Sequence, residues 1–345
     1  MKLTPATRPL LWPFVPIYRL GLALREFQLR SGLKPVHRLR WPVVSIGNLS
    51  TGGSGKTPLT IALAKALAAR GLRVDVLSRG YGRRRSALPL LVDRDGTAED
   101  FGDEPLLIAR EAGVPVYVAA QRYQAGLMAE AERSARSSPG VHLLDDGFQH
   151  RQLARDFDIL LLDHADLTDR LLPAGNLREA LQAAERAAVI AIPADEPDVE
   201  ERIKSRGWQA SIWRLRRRME IPPAGDSISD PAAGPVAAFC GIARPEQFFQ
   251  GLESTGVNLA ARIAFPDHNR YTAHDLNRLV AEARKAGART LLTTEKDRVR
   301  LSALAATLPE SLPLRIARLH IEIENEDAAI DWLIERLGGP QTHLT

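Results

Sequence analysis

Glycines at positions 47, 52, 53 and 55 frame Lys56 and Thr57 in the run Gly47-Asn-Leu-Ser-Thr-Gly-Gly-Ser-Gly-Lys-Thr57. Glycine lets a backbone approach a ligand closely and take positive φ. At the start of a helix, the N–H groups of such a loop face an anion and the helix dipole favours it. Lys56 would then reach the β- and γ-phosphates of a nucleotide, and the Thr57 hydroxyl would ligate Mg²⁺. The expected nucleotide-binding set is Ser50, Thr51, Gly52, Gly53, Ser54, Gly55, Lys56 and Thr57. Ser50 stands where the general phosphate-loop pattern has glycine. The spacing instead matches loop variants that begin Lys-Gly-Gly, with Thr51 in place of the lysine.

A second constellation is Val141-His-Leu-Leu-Asp145-Asp146-Gly147, an apolar run ending in two carboxylates. A strand of this kind places a Mg²⁺-coordinating acid at the carboxyl edge of a sheet. A turn capped by Asp-Gly would have the same composition. Together the two motifs give nucleotide binding but no reaction, so hydrolase, kinase and switch remain open. A guanine-reading Asn-Lys-x-Asp is absent. The nearest segment, Thr293-Thr-Glu-Lys-Asp297, has lysine and aspartate adjacent.

Strand-like and helical runs alternate around these motifs. Residues 43–46 form a strand before the loop and 58–70 a helix after it. Strands follow at 73–77, 115–118, 141–144, 158–162 and 188–192, with helices at 103–112 and 122–136. This alternation predicts an α/β fold, a P-loop NTPase-like parallel sheet with helices on both faces. Residues 221–235 are rich in Pro and Gly and read as a linker and hinge. The pattern restarts with strands at 236–240, 259–265, 290–293 and 314–323 and helices from 245, at 273–286 and at 328–337. That is a smaller C-terminal α/β domain. The expected organisation is a basic arm over 1–40, a nucleotide-binding and catalytic domain over 41–220, the linker, and a second domain over 236–345.

The arm is set apart by charge. Residues 1–40 carry eight Lys or Arg against Glu26 alone, a net +7, whereas the remainder carries −3. Nucleic acid and anionic lipid both suit such an arm. Its apolar run is about half the ~20 residues a spanning helix needs, and Pro13 and Pro16 break it. Prolines and Arg19 also argue against a cleaved signal peptide. Ile17, Leu20, Leu24 and Phe27 recur at helical spacing with Arg19, Arg25 and Arg30 off the stripe. That predicts an amphipathic helix lying on a membrane surface or packed on its own domain. The one cysteine, Cys240, excludes an intrachain disulfide and argues against a cysteine zinc site, which fits a reducing cytoplasm. The Arg83-Arg-Arg85 run reads as a solvated loop.

With these motifs in order, the chain resembles the tetraacyldisaccharide 4′-kinase family over nearly its full length. The matching segments, besides the phosphate loop through Pro58, are Ser78-Arg-Gly-Tyr-Gly82, Gly102-Asp-Glu-Pro105 and Asp145-Asp-Gly-Phe-Gln-His150. They continue with Leu172-Pro-Ala-Gly-Asn-Leu-Arg-Glu179, Phe239-Cys-Gly-Ile-Ala243, Asp267-His268 with Tyr271, and Thr293-Thr-Glu-Lys-Asp297. Ser50 and Thr51 are ordinary for that family. Ala180 replaces an expected Pro and Arg83 a frequent Gly.

The resemblance implies ATP and Mg²⁺ as co-substrate and cofactor, and a membrane glycolipid, tetraacyldisaccharide 1-phosphate, as acceptor at its 4′-hydroxyl. It implies Asp103 as the catalytic carboxylate and His268, from the second domain, as its partner. Asp103 alone would read as a helix N-cap. Asp145, Asp146 and Glu179, with Thr57, are the implied acidic cluster around Mg²⁺. Gln149, His150, Asn176 and Arg178 are implied near the substrate or supporting the site. Such an enzyme sits peripherally on the anionic cytoplasmic face of the bacterial inner membrane, with no nucleic acid and no obligate protein partner. A soluble synthetase-like ATPase would not need the basic arm, and a membrane-associated switch would not need an Asp–His pair.

Overall fold

Val43 to Asn48 is buried at every position, as a strand covered on both faces must be. The computed structural model in which it sits describes residues 8–84, 88–133, 140–223, 232 and 234–338. A short 3-10 turn leads into α1 (Val15–Arg30), β1 (Val43–Asn48), α2 (Lys56–Ala69), β2 (Arg73–Ser78), β3 (Leu90–Leu91), α3 (Ala98–Phe101) and α4 (Asp103–Ala112). Next come β4 (Val116–Val118), α5 (Arg122–Arg133), β5 (Gly140–Asp145), β6 (Phe157–Leu161), α6 (His164–Thr168), β7 (Val189–Pro193), α7 (Pro197–Ser205) and β8 (Ser211–Glu220). The chain continues through β9 (Val236–Cys240), α8 (Pro245–Ser254), β10 (Leu259–Ala264), α9 (Ala273–Lys285), β11 (Thr290–Thr294), α10 (Glu295–Leu301), β12 (Leu314–Ile323) and α11 (Glu326–Arg336).

All twelve strands share one sheet, in the order β10-β9-β11-β12-β8-β7-β6-β1-β5-β2-β4-β3. From β7 to β4 the pairings are parallel, so the ends of β1, β5 and β2 reach one edge together. Helices cover both faces, as the alternation predicts. Leu59, Leu63 and Leu67 of α2 pack with Leu106 and Ile108 of α4 and Ile330 and Leu333 of α11 on one side. Leu160, Leu162, Val199 and Ile203 lie in a second cluster with Leu49 and Phe148.

Strand β8 joins the two regions. Its residues Ser211 to Leu215 pair in parallel with β7, and Leu215 to Glu220 pair antiparallel with β12. It therefore runs past the end of β7 and carries the second region beyond the carboxyl edge of the first. Strands β11 and β9 run parallel to β12, so their own carboxyl ends point back at that edge. Strand β8 carries no clear strand pattern in the sequence, because Arg214, Arg216, Arg217 and Arg218 mask the inward Trp213 and Leu215. The expected hinge at 221–235 lies mostly outside the described residues.

Helix α1 buries no residue fully. Val15, Tyr18 and Leu22 are partly buried against the second cluster. The predicted stripe faces away: Ile17 is 66% exposed, Leu20 70%, Leu24 55% and Phe27 61%. Trp12 and Phe14 of the preceding turn are also exposed. Among the described residues, no helix is long and apolar enough to cross a membrane.

Candidate active site

The phosphate loop leaves β1 and turns into α2 at Gly55, whose φ of +95° suits a residue without a side chain. Gly47 is required for a different reason. A Cβ there would lie 2.5 Å from Phe148 Cβ and 2.8 Å from Phe148 N, so the chain after Asp146 packs against bare backbone. Lys56 Nζ donates to Asn48 Oδ1 at 2.9 Å and lies 3.6 Å from Asp146. The Ser54 hydroxyl is buried and has no hydrogen-bond partner among the described residues. A donor left unmade in that position suits a ligand oxygen.

Asp145 and Asp146 end β5 beside this loop and differ sharply in environment. Asp146, at φ +49°, accepts from both terminal nitrogens of Arg178, at 3.1 and 2.9 Å. Burial raises its pKa, but Lys56 and Arg178 outweigh that and hold the carboxylate well below the usual range. Asp145 has only long contacts, from Thr60 Oγ1 at 3.5 Å and Ser78 Oγ at 3.4 Å. Burial, then the charges of Glu104 and Asp146, push its pKa up to about 7. A buried, poorly partnered carboxylate next to a second one, beside the loop that carries Thr57, offers oxygen donors that suit a hard divalent cation.

Glu179 is engaged elsewhere. Its two carboxylate oxygens are taken by Arg25 at 2.9 Å and Arg186 at 2.8 Å. Among the described residues, no group of three or more acid, His or Cys side chains is placed to hold a metal. Both Glu179 oxygens turn to Arg25 of α1 and to Arg186, so the carboxylates beside Lys56 are Asp145 and Asp146. The acid electrostatically adjacent to Asp145 is Glu104, which accepts from Lys296 Nζ at 2.6 Å. Glu104 adjoins Asp103 in a motif the sequence displays, but nothing in the spacing gave it a role.

Asp103 opens α4 and is buried. Its Oδ1 accepts from Glu104 N at 3.0 Å. Its Oδ2 contacts His268 Nδ1 at 3.1 Å and accepts from Arg300 through Nε at 2.7 Å and through a terminal nitrogen. The sequence-predicted pair thus meets across the cleft, and Arg300 is a third member that sequence reasoning missed. Burial raises the Asp103 pKa, but His268, Arg300 and Lys296 more than reverse it. The ionised carboxylate can only accept, so the His268 proton sits on Nδ1. The close Arg300–His268 approach of 3.1 Å is then proximity rather than donation. Among the described residues, no hydrogen bond involves His268 Nε2. The hydrogen bond to Asp103 raises the His268 pKa despite desolvation and Arg300.

The remaining predicted residues divide into two groups. Gln149 Nε2 donates to the Asn48 carbonyl at 3.0 Å, supporting the loop from outside. Asn176 turns its amide to Asp169 at 2.6 Å, and its carbonyl accepts from Thr51 N at 2.8 Å. His150 lies 3.4 Å from the buried Arg122. Burial, then Arg122, Arg155 and Arg79, push its pKa down to about 3, so it is neutral in a strongly basic pocket. Ser50 and Thr51 are clipped to residues 176–177 by backbone pairing.

The joining strand β8 and the second region each send an arginine to the loop side of the sheet. Arg244 binds Asp163 at 2.6 Å, and Arg217 donates to the Ser54 carbonyl at 3.1 Å. Between the regions lies a cleft of about 870 Å³, lined by Gly52 to Pro58, Glu104 and Lys296 and walled by Met219 and Phe248. That is the size and mixed polarity of a nucleotide-sized site.

A family model described as tetraacyldisaccharide-1-P 4′-kinase matches residues 7–338. The tetraacyldisaccharide 4′-kinase of Koribacter versatilis (strain Ellin345) is 41% identical over 330 residues, covering 94% of this chain and 97% of that protein. That of Anaeromyxobacter dehalogenans (strain 2CP-C) is 40% identical over 338 residues, covering 92% and 87%. Among solved structures, LpxK from Aquifex aeolicus in complex with ATP superposes with a TM-score of 0.73 at 31% identity, covering 96% of this chain and 99% of that one.

Proposed function

The chain belongs to the tetraacyldisaccharide-1-phosphate 4′-kinase family, and we propose from this that it moves the γ-phosphoryl group of ATP to the 4′-hydroxyl of tetraacyldisaccharide 1-phosphate. The products are lipid IVA, an intermediate of lipid A synthesis, and ADP. The observation that carries the reading is a cleft lined by the phosphate loop, by Glu104 next to Asp103 and by Lys296 one turn before Arg300, with Asp103 and His268 paired at 3.1 Å. A switch has no use for a positioned base beside the phosphates, and an ATPase acting on water has none for the exposed apolar stripe of α1.

ATP would lie with its base between Met219 and Phe248 and its phosphates over the loop. Lys56 and the loop N–H groups neutralise and orient the triphosphate. Thr57, Asp145 and Asp146 are the residues that would hold Mg²⁺, which would supply charge neutralisation at the phosphate oxygens. His268 Nε2 is the atom free to take the proton of the 4′-hydroxyl as its oxygen bonds to the γ-phosphorus. Asp103 holds the imidazole and stabilises the resulting cation. The β–γ bridging oxygen leaves with its electron pair on ADP. The buried Arg122, with His150 and Arg79 near it, gives an anionic sugar phosphate a place to bind. The exposed stripe of α1 would seat the enzyme peripherally on the anionic inner face of the cytoplasmic membrane, where the acceptor resides.

The test is phosphate transfer from γ-labelled ATP and Mg²⁺ to tetraacyldisaccharide 1-phosphate in micelles. Labelled bisphosphorylated lipid is expected, and His268→Ala or Asp103→Ala should reduce it at least about a hundredfold. A folded, ATP-binding protein that labels no lipid sinks the reading.

A further inference from the structure

Residues 176–179 brace the start of the phosphate loop. Thr51 N donates to the Asn176 carbonyl at 2.8 Å and Arg178 N to the Leu49 carbonyl at 2.7 Å, with Ser50 and Leu177 paired between them. The last two of these residues are held from the other direction by helix α1. Tyr18 Oη donates to the Arg178 carbonyl at 2.8 Å, and Arg25 binds Glu179 at 2.9 Å. The Glu179 side chain is only 7% exposed, and its second oxygen belongs to Arg186. Arg151, just past the Asp145–Asp146 turn, is also tied to α1, through Glu26.

This segment ends in the guanidinium that matters most to the loop. Arg178 binds both oxygens of Asp146 and also donates to Asn48, the residue whose side chain holds Lys56. If Arg178 withdraws, Asp146 is left mainly to Lys56, with Arg122 acting from farther off. The lysine is then drawn off the phosphates, and an uncompensated negative charge faces them. Glu179, with one arginine of α1 and one of its own segment on its two oxygens, is a fixed anchor for the residue before it.

We propose that Glu179 is a positioning residue: gripped by Arg25 of the surface helix α1, it fixes Arg178 against Asp146 and so sets how tightly the phosphate loop holds a nucleotide. Because binding free energies are reciprocal, the seat of α1 and the occupancy of the loop influence each other. The inference rests on the reading of the loop as a nucleotide site and goes beyond it, since the same helix carries the exposed apolar stripe.

The experiment measures the affinity of the full chain for a ribose-labelled fluorescent ATP, with no lipid present. Arg25→Ala is expected to weaken binding about fivefold in the natural background and to have no further effect in an Arg178→Ala background, the signature of two residues acting through one contact. Arg25→Lys should restore most of the loss. Tyr18→Phe, a milder change on the same helix, should weaken binding in the same direction, and unchanged melting curves exclude misfolding. Full affinity in Arg25→Ala overturns the proposal, since α1 would then be an anchor only. Equal losses in both backgrounds also overturn it, since the effect would then bypass Arg178. Acceptor is absent throughout, so a wrong acceptor assignment would appear in the transfer assay and leave this cycle intact.

Discussion

A carboxylate that accepts from an imidazole and a guanidinium together is a weak proton acceptor, and Asp103 is held in that state. The free lone pair at the site is His268 Nε2. The base must be neutral to act, so the rate falls as pH drops through the His268 pKa, which Asp103 raises. The acid limb of kcat/KM is therefore expected above the ordinary histidine value of about 6.5. If Asp103 were the base, the limb would fall below about pH 4. Arg300 lowers the His268 pKa, so Arg300→Ala should move the limb upward. A profile from pH 5 to 9.5 separates these outcomes. Asp145 gives a second prediction at this scale. Its pKa is raised in the folded state to about 7, so above its unfolded value of about 3.9 folding works against its ionisation. Asp145→Asn removes that cost. At pH 8 the variant should gain about 1–2 kcal/mol and melt a few degrees higher while losing transfer. A lower melting temperature would show that the carboxylate contributes stability through contacts with Lys56 or the hydroxyls.

Strands β2 and β5 are joined beneath the site by buried charges. His142 on β5 lies 2.6 Å from Asp75 on β2 and 3.4 Å from Glu130 on α5, with His142 and Asp75 fully inaccessible. Burial lowers the His142 pKa, but Asp75 and then Glu130 raise it further, to about 9. A raised histidine pKa gives stability that is fully present below about pH 6.5 and is lost as pH climbs through about 9. His142→Gln should therefore cost on the order of 2 kcal/mol at pH 6.5, with the difference from the natural protein shrinking towards pH 10. A pH-independent difference would assign the loss to packing. These strands were legible in the sequence because Val and Leu dominate each run despite the single interruption by Asp75 or His142, and so was the loop, because glycine spacing and the Lys-Thr pair are local. Strand β8 was not, since its inward Trp213 and Leu215 alternate with arginines that pair with Glu200 and Glu324. Arg300 and Glu104 escaped for another reason: their roles depend on α10 and α4 facing each other across the cleft, which no local pattern encodes. The arginine partners of Glu179 were not legible, because proximity in a motif says nothing of which way a carboxylate turns.

The two regions and the arm converge on one edge of one sheet. Strand β8 overshoots β7, so β9 and β11 aim Gly241 and Thr294 back at the phosphate loop, and α10 then delivers Lys296 and Arg300. Helix α1 is fastened to the same edge through Glu179 and Arg178. Its inner face is used in packing, so the outward Ile17, Leu20 and Leu24 contribute nothing to the fold that removing them would destroy. Their exposed area suits a bilayer, and burying each such side chain in an apolar phase yields about 2 kcal/mol. Replacing all three with serine should lower vesicle affinity at least about a hundredfold even if each buries only half its surface. Flotation with vesicles containing anionic lipid measures this directly. The same variant should raise KM for the lipid acceptor and keep the affinity for nucleotide, because Tyr18 and Arg25 remain in place. Unchanged flotation would mean that the stripe meets another partner. A matching loss of nucleotide affinity would mean that the stripe itself, and not the inner face, supports the loop.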